Sequence, residues 1–316
     1  MTPDAWEQFS TRCQKPDHRT VGNWYARRIS RPLALHVTHI VLSTGISAHA
    51  ITALAWLAGL AGVGALACGG VGGWLTAAAL LQLSYLLDHV DGQVARYRDT
   101  ASLDGVALDY LMHHTLTLLV PIGVGHGLLV NTGALVGLWL GIAWGVAALV
   151  QSIEHDVRCK AIVSRLKRMH GELRVIGGRG GRPTPAAPWP RAPLRVLARV
   201  VRLAGQWHVV LNSVTLLAGA MFVLADSTTL AAVYLGVMAP TSVVLALLGV
   251  MRGLQHQAAE REFAAWYEPP LGHTLRTDAG WWYVESLAED EQHQPLTTKH
   301  SSPTLAARVH LDPAQR

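Results

Sequence analysis

Apolar residues in this chain are gathered into six long runs, and that grouping restricts its fold more than any other feature. The runs lie at roughly 44–67, 71–93, 106–130, 133–154, 207–225 and 230–251. At about 1.5 Å of rise per residue, each is long enough for a helix to cross a hydrocarbon layer of about 30 Å. Only 15% of the residues are charged, against about 25% in an ordinary soluble domain, and those few sit between and beyond the runs. A soluble core does not segregate its charge in this way. The pattern predicts an all-α membrane protein, a six-transmembrane-helix bundle.

The basic residues orient the bundle. None of the turns at 68–70, 131–132 and 226–229 contains Lys or Arg. All 26 basic residues fall in the N-terminal segment, the 94–105 loop, the 155–206 loop or the stretch beyond 251. By the positive-inside rule both termini and both basic loops are expected to be cytoplasmic, in a multi-pass protein of the cytoplasmic membrane. Cys13, Cys68 and Cys159 are scattered and suggest neither a disulfide framework nor a zinc site. The first 43 residues lack the pattern of a cleavable signal.

Three regions follow from composition. Residues 1–43 form an N-terminal segment in which 22–43 sets Arg27, Arg28 and Arg31 against Ile29, Leu33, Leu35 and Val37 at helical spacing. This is the pattern of an amphipathic interfacial helix. Residues 44–254 hold the six spans, with a basic linker at 155–206 that is rich in Gly and Pro over 177–193. Residues 255–316 form a polar cytoplasmic tail, and 286–316 is polar enough to be largely disordered.

One stretch, residues 84–114, does not behave as a lipid-facing span. Asp88 and Asp91 are three apart, on one face of a helix, and Gly92 and Ala95 continue that face with almost no side chain before Arg96. After a polar turn, Gly105, Asp109 and His113 recur at intervals of four on a second helix. Carboxylates near hydrocarbon are costly, and three together repel unless a cation neutralises them. All-oxygen ligands suit Mg²⁺ or Mn²⁺ at Asp88, Asp91 and Asp109. The competing reading has these aspartates paired with Arg96, Arg98 or other arginines at the helix ends. The charged groups gather at one membrane face and not at the midplane, which argues against a transporter. The basic run 158–168 has no accompanying aromatic or fold motif, which argues against nucleic-acid binding. It reads as a positive-inside anchor or an electrostatic funnel for an anionic substrate.

Asp88, Asp91, Gly92, Ala95, Arg96, Gly105 and Asp109 resemble the signature of the CDP-alcohol phosphotransferase (CDP-alcohol phosphatidyltransferase) family, D-x2-D-G-x2-A-R-x8-9-G-x3-D-x3-D. The six-span plan and the basic interfacial helix extend the resemblance over most of 22–254. It implies metal on Asp88, Asp91 and Asp109, contacts to the cytidine nucleotide from Gly92 and Arg96, and Ala95, Ser102 and Gly105 beside the nucleotide. The family often opens its first span with T-P-N/D-x-x-T, and Ser47 to Thr52 keeps the final Thr and a small hydroxyl at the start. Thr52 is thereby implied in the nucleotide site. The resemblance further implies a homodimer, a CDP-linked donor (CDP-diacylglycerol or a CDP-alcohol), an alcohol acceptor and release of CMP, with phospholipid synthesis as the outcome.

The departure is at the last position, where His113 stands in place of the family's fourth aspartate. Imidazole accepts a proton near neutral pH, so His113 can serve as the general base for the acceptor hydroxyl. The alternatives are an altered or catalytically silent nucleotide- or metal-binding protein, and a bystander histidine. An enzyme making a soluble inositol-phosphate-type phosphodiester is the nearest alternative within the same chemistry. Topology is open to direct test on a cysteine-free background. Asn131→Cys and Gly180→Cys are expected to label from opposite faces of the membrane, and labelling from one face would overturn the span count.

Overall fold

The computed structural model describes residues 2–15, 20, 23–176, 206–286 and 309–310. Helix α1 (Pro3–Cys13) starts at an N-cap, Thr2, whose hydroxyl accepts from the Ala5 N–H, with Pro in the first turn. A π-helical turn, Ala26–Ser30, runs into α2 (Arg31–Val41), and a 3₁₀ turn, Leu42–Thr44, ends at Gly45 in the left-handed region, φ +74°. The long helices follow: α3 (Ala48–Cys68), α4 (Gly70–Tyr97), α5 (Leu103–Thr132), α6 (Leu135–Leu166), α7 (Trp207–Leu224) and α8 (Thr228–Gln255). These six helices are long and apolar enough to cross a membrane, as the apolar runs predict.

Several boundaries differ from the apolar runs. Helix α3 begins at Ala48 because Ser47 caps it, its side chain accepting from Ala50 N. Helices α4 and α8 run on past 93 and 251, and α6 continues to Leu166 through residues assigned to the polar linker. Hydrophobicity marks where a helix stays apolar and not where it stops. In α6 the polar turns are held by an i,i+4 ion pair, Glu154 to Arg158 at 2.7 Å. The Gly/Pro-rich stretch 177–193 and nearly all of 286–316 lie outside the described residues.

The chain divides into two compact units, Met1–Ser152 with Ala192–Ala246, and Ile153–Arg191 with Leu247–Arg316. In the first, α3 packs along α4 and α5, α7 packs on α4, and Leu66, Trp74, Leu81, Trp144, Val214, Met221 and Leu235 form a core excluded from solvent. Without a hydrophobic drive between lipid-embedded helices, close backbone approach and polar pairs have to hold them. Glycine supplies the approach. A Cβ on Gly127 of α5 would collide with the Leu66 carbonyl of α3, and one on Gly141 of α6 would come within 2.6 Å of the Pro121 carbonyl. The polar pairs join distant segments. Gln82 donates to Asn212 (3.1 Å) and Thr215 (2.9 Å) and accepts from Tyr25 (2.9 Å). Gln93 ties α2 to α4 by accepting from Thr38 (2.8 Å) and donating to the Arg31 carbonyl (3.2 Å). Helix α2 thus buries Ala34, Leu35 and Thr38 while Leu33 and Ile40 stay exposed, the arrangement of a helix lying in an apolar boundary.

The second unit gives form to part of the stretch beyond 255. Helix α9 (Ala258–Trp266) is followed by β3 (Tyr267–Glu268) and a hairpin of β4 (His273–Asp278) and β5 (Trp281–Ser286). Asp278 pairs with Trp281, and Ala279 and Gly280 both have positive φ, which makes a two-residue turn matched to strand twist. Strand β1 (Met169–His170) pairs with β5 to give the order β1-β5-β4, and β2 (Leu173–Val175) lies between β3 and β6 (Val309–His310). Ile162, Met169, Leu173 and Phe263 form its core. Arg158 is shared by Glu154 and Glu262, and Arg165 is bonded to Glu260 and lies 3.8 Å from the centre of the Trp282 ring. That guanidinium holds the Glu260 carboxyl below the usual carboxylate range.

Gly127→Val is expected to cost on the order of 1–3 kcal/mol, because the atom it meets is backbone and cannot move aside. Thermal unfolding of the purified protein in detergent should show a lowered midpoint, while Gly219→Val, where a Cβ meets open space, should leave it nearly unchanged.

Candidate metal and nucleotide site

All ten residues singled out from the sequence line one cavity of about 400 Å³ in the first unit: Thr52, Asp88, Asp91, Gly92, Ala95, Arg96, Ser102, Gly105, Asp109 and His113. Helical spacing explains the convergence. Helix α4 projects Asp88, Asp91, Ala95 and Arg96 from one face near its C-terminal end. The polar turn after it reverses the chain, and α5 projects Gly105, Asp109 and His113 back toward them. Ser102 starts α5 as its N-cap, accepting from the Gly105 N–H at 3.1 Å.

Within the cavity, Asp88, Asp109 and His113 form the tightest group, with one ligand atom from each lying within 4.8 Å of the others. The His113 Nε2 is 3.7 Å from an oxygen of Asp88 and 3.7 Å from one of Asp109. Asp91 stands beside this group and is held by α3, since Thr52 donates to its Oδ2 at 2.5 Å. The Thr52 hydroxyl is thus engaged by a carboxylate, a role that orients Asp91, where the sequence resemblance implied a nucleotide contact. Arg96 and Arg98 are held by backbone carbonyls. The Arg96 Nε donates to Cys13 O at 2.6 Å, and Arg98 donates to Leu42 O at 3.2 Å and to Ile46 O. The reading in which these two arginines terminate the helices by pairing with the three aspartates is therefore disfavoured. A Cβ on Gly92 would lie 3.1 Å from the Arg96 guanidinium, so the missing side chain there makes room for that group.

The donor set fits a divalent cation. The Asp88 Oδ1 is buried with no hydrogen-bond partner, and so is the His113 Nδ1. A buried carboxylate oxygen left unpaired costs several kcal/mol unless something satisfies it, and a cation shared with Asp109 would do so. In the second unit His155, Cys159 and Glu262 also come within 4.8 Å of one another. There Arg158 already meets the Glu262 carboxylate at 2.9 Å, and the group reads as part of an ion-pair network.

Sequence reasoning missed several groups on the cavity wall: Gln14, Lys15, Arg31, His49, His89 and Gln93. His89 follows Asp88 directly, donating from Nδ1 to the Tyr85 carbonyl at 2.9 Å and lying 3.7 Å from Asp88. His49 lies 3.4 Å from the Ser102 hydroxyl. It falls inside the segment that departs from the family's first-span motif, which is the one signal that pointed to it.

Residues 45–168 match the family model for CDP-alcohol phosphatidyltransferase. The similarity to that family thus runs from the start of α3 to just past the end of α6, narrower than the 22–254 over which the sequence resemblance ran. No curated protein matches the chain. Mn²⁺ binding to the purified protein, read by the loss of the free-ion resonance signal, should weaken strongly in Asp88→Asn and Asp109→Asn. Thr52→Val should weaken it by about 10–100-fold through loss of the hydrogen bond that orients Asp91. Unaltered binding in all three would remove the cavity as a metal site.

Proposed function

We propose that this protein is a multi-pass enzyme of the cytoplasmic membrane that transfers a phosphoalcohol group from a CDP-linked donor to an alcohol, releasing CMP. The observation that carries the reading is the grouping of three aspartates, His113 and the motif arginine around one cavity, inside the matched domain. The same resemblance supports a homodimer with the cavity open to the cytoplasm, and CDP-diacylglycerol or a soluble CDP-alcohol as donor.

The chemistry follows from charge. Asp88, Asp91 and Asp109 would hold Mg²⁺ or Mn²⁺, and the cation supplies the positive charge that phosphate oxygens need in the transition state. Arg96 stabilises the donor's phosphates from the same helix. The acceptor hydroxyl forms a bond to the phosphorus that carries the alcohol portion, the bond from that phosphorus to the CMP oxygen breaks, and CMP leaves with the negative charge. His113 takes the hydroxyl proton. Its Nε2 lies 3.7 Å from oxygens of Asp88 and Asp109, which places the imidazole beside the carboxylates that would hold the cation.

A second reading of His113 is favoured by the same distances, namely that it is the third metal ligand beside Asp88 and Asp109. Two measurements separate the readings. If His113 is the base, His113→Ala lowers CMP release by about 10²–10⁴-fold and leaves Mn²⁺ affinity intact. If it is a ligand, Mn²⁺ affinity falls as well. In either case His113→Asp, which restores the family pattern, should recover part of the turnover. CMP release from CDP-diacylglycerol and from CDP-alcohols, assayed with Mg²⁺ or Mn²⁺ and a panel of alcohols, tests the function itself. CMP binding without any release would establish the catalytically silent alternative, and a water-soluble product would point to the inositol-phosphate-type one.

A further inference from the structure

Helix α1 precedes the matched domain, yet it is firmly docked beside the cavity. Phe9 and Cys13 are 5% and 0% exposed and pack with Leu35, Trp6, Leu42 and Tyr97. Trp6 stacks on His36 with ring centres 4.9 Å apart. Arg12 pairs with Asp99 at 3.1 Å and covers the Tyr97 ring at 4.8 Å. The helix therefore ends at a defined place, where the Cys13 carbonyl accepts from the Arg96 Nε and the next two residues, Gln14 and Lys15, line the cavity that holds Asp88 and Asp91.

This ending has an electrostatic consequence. A helix C-terminus carries partial negative charge on its free carbonyls and attracts a guanidinium. The partner it offers Arg96 is a neutral carbonyl. Burial pushes the Cys13 thiol up to about 11, so that side chain also stays uncharged at neutral pH. Arg96 is thus held in position by a neutral partner, with Asp91 as a charged neighbour. Lys15 adds a second cation on the same wall, while the carboxylates occupy α4 and α5. Such a division suits a ligand that is itself anionic and reaches the carboxylates through a cation.

We propose that the end of helix α1 is the anion-binding wall of the donor pocket, with Lys15 a binding residue for the phosphate of a cytidine nucleotide and the Cys13 carbonyl a positioning group for Arg96. The proposal rests on the function proposed above and adds to it, since it assigns donor recognition to residues before the matched domain. The rival reading makes α1 a structural strap whose last residues bind no ligand.

Full-length protein in lipid nanodiscs, titrated with CMP and with cytidine in the presence of Mn²⁺, distinguishes the two. Loss of one charge-assisted contact should weaken CMP binding by about tenfold in Lys15→Ala, with cytidine binding unchanged. Lys15→Glu should weaken CMP binding further, Lys15→Arg should restore it, and Arg276→Ala on the hairpin should have no effect. Equal CMP affinity in wild type, Lys15→Ala and Lys15→Glu would overturn the proposal and leave the proposed function standing. A parallel loss of CMP and cytidine would also overturn it, in favour of the structural strap. Wild-type protein that binds neither ligand would overturn both the wall and the function on which it rests.

Discussion

Mutual repulsion among Asp88, Asp91 and Asp109, gathered in one cavity at the ends of membrane-length helices, is the constraint to which the surrounding structure answers. Charge is least tolerable where the dielectric is low, and like charges there raise one another's cost. The chain meets this in several ways. The aspartates lie near the ends of α4 and α5, next to the polar turn. Thr52 satisfies an oxygen of Asp91, His113 and His89 face Asp88, and the buried Asp88 Oδ1 stays open to a cation. Arg96, which could have cancelled a carboxylate, donates to the Cys13 carbonyl instead.

Holding such a group in place requires a rigid frame, and the frame is built by contact and not by hydrophobicity. Between apolar helices in an apolar medium, burial gains little, so glycine-mediated approach and polar pairs carry the packing. Gly127 against Leu66 brings α5 onto α3, and Gln82 and Gln93 join α4 to Tyr25 just before the π-helical turn, to α7 and to α2. These contacts decide the distance between α4 and α5, and therefore whether Asp88 and Asp109 can share an ion. In the second unit the same problem of exposed charge is solved differently, by pairing Arg158 and Arg165 with acidic partners on α9.

Substituting His113 for a family aspartate fits this electrostatic balance. One negative charge fewer leaves the group easier to bury, and an imidazole between two carboxylates can hold a proton or a metal with little displacement. The distances of 3.7 Å to both carboxylates suit either role, which is why the binding of Mn²⁺ and the release of CMP have to be measured separately.

By itself the sequence determined the features that depend on local periodicity. Long apolar runs set six helices, because a backbone in hydrocarbon must satisfy its own hydrogen bonds. Intervals of three and four put Asp88 with Asp91, and Asp109 with His113, on single faces, because the α-helix repeats every 3.6 residues. The tertiary structure decided whatever joins residues far apart in the chain. Thr52 reaches Asp91 across 39 positions, the Cys13 carbonyl reaches Arg96 across 83, and Glu262 meets Arg158 across 104. No periodicity encodes these pairs, because each depends on the packing of whole helices and on where a chain end comes to rest. The sequence could name the carboxylates, but only the packed helices could show that Gln14 and Lys15, just past the N-terminal helix, line the same cavity.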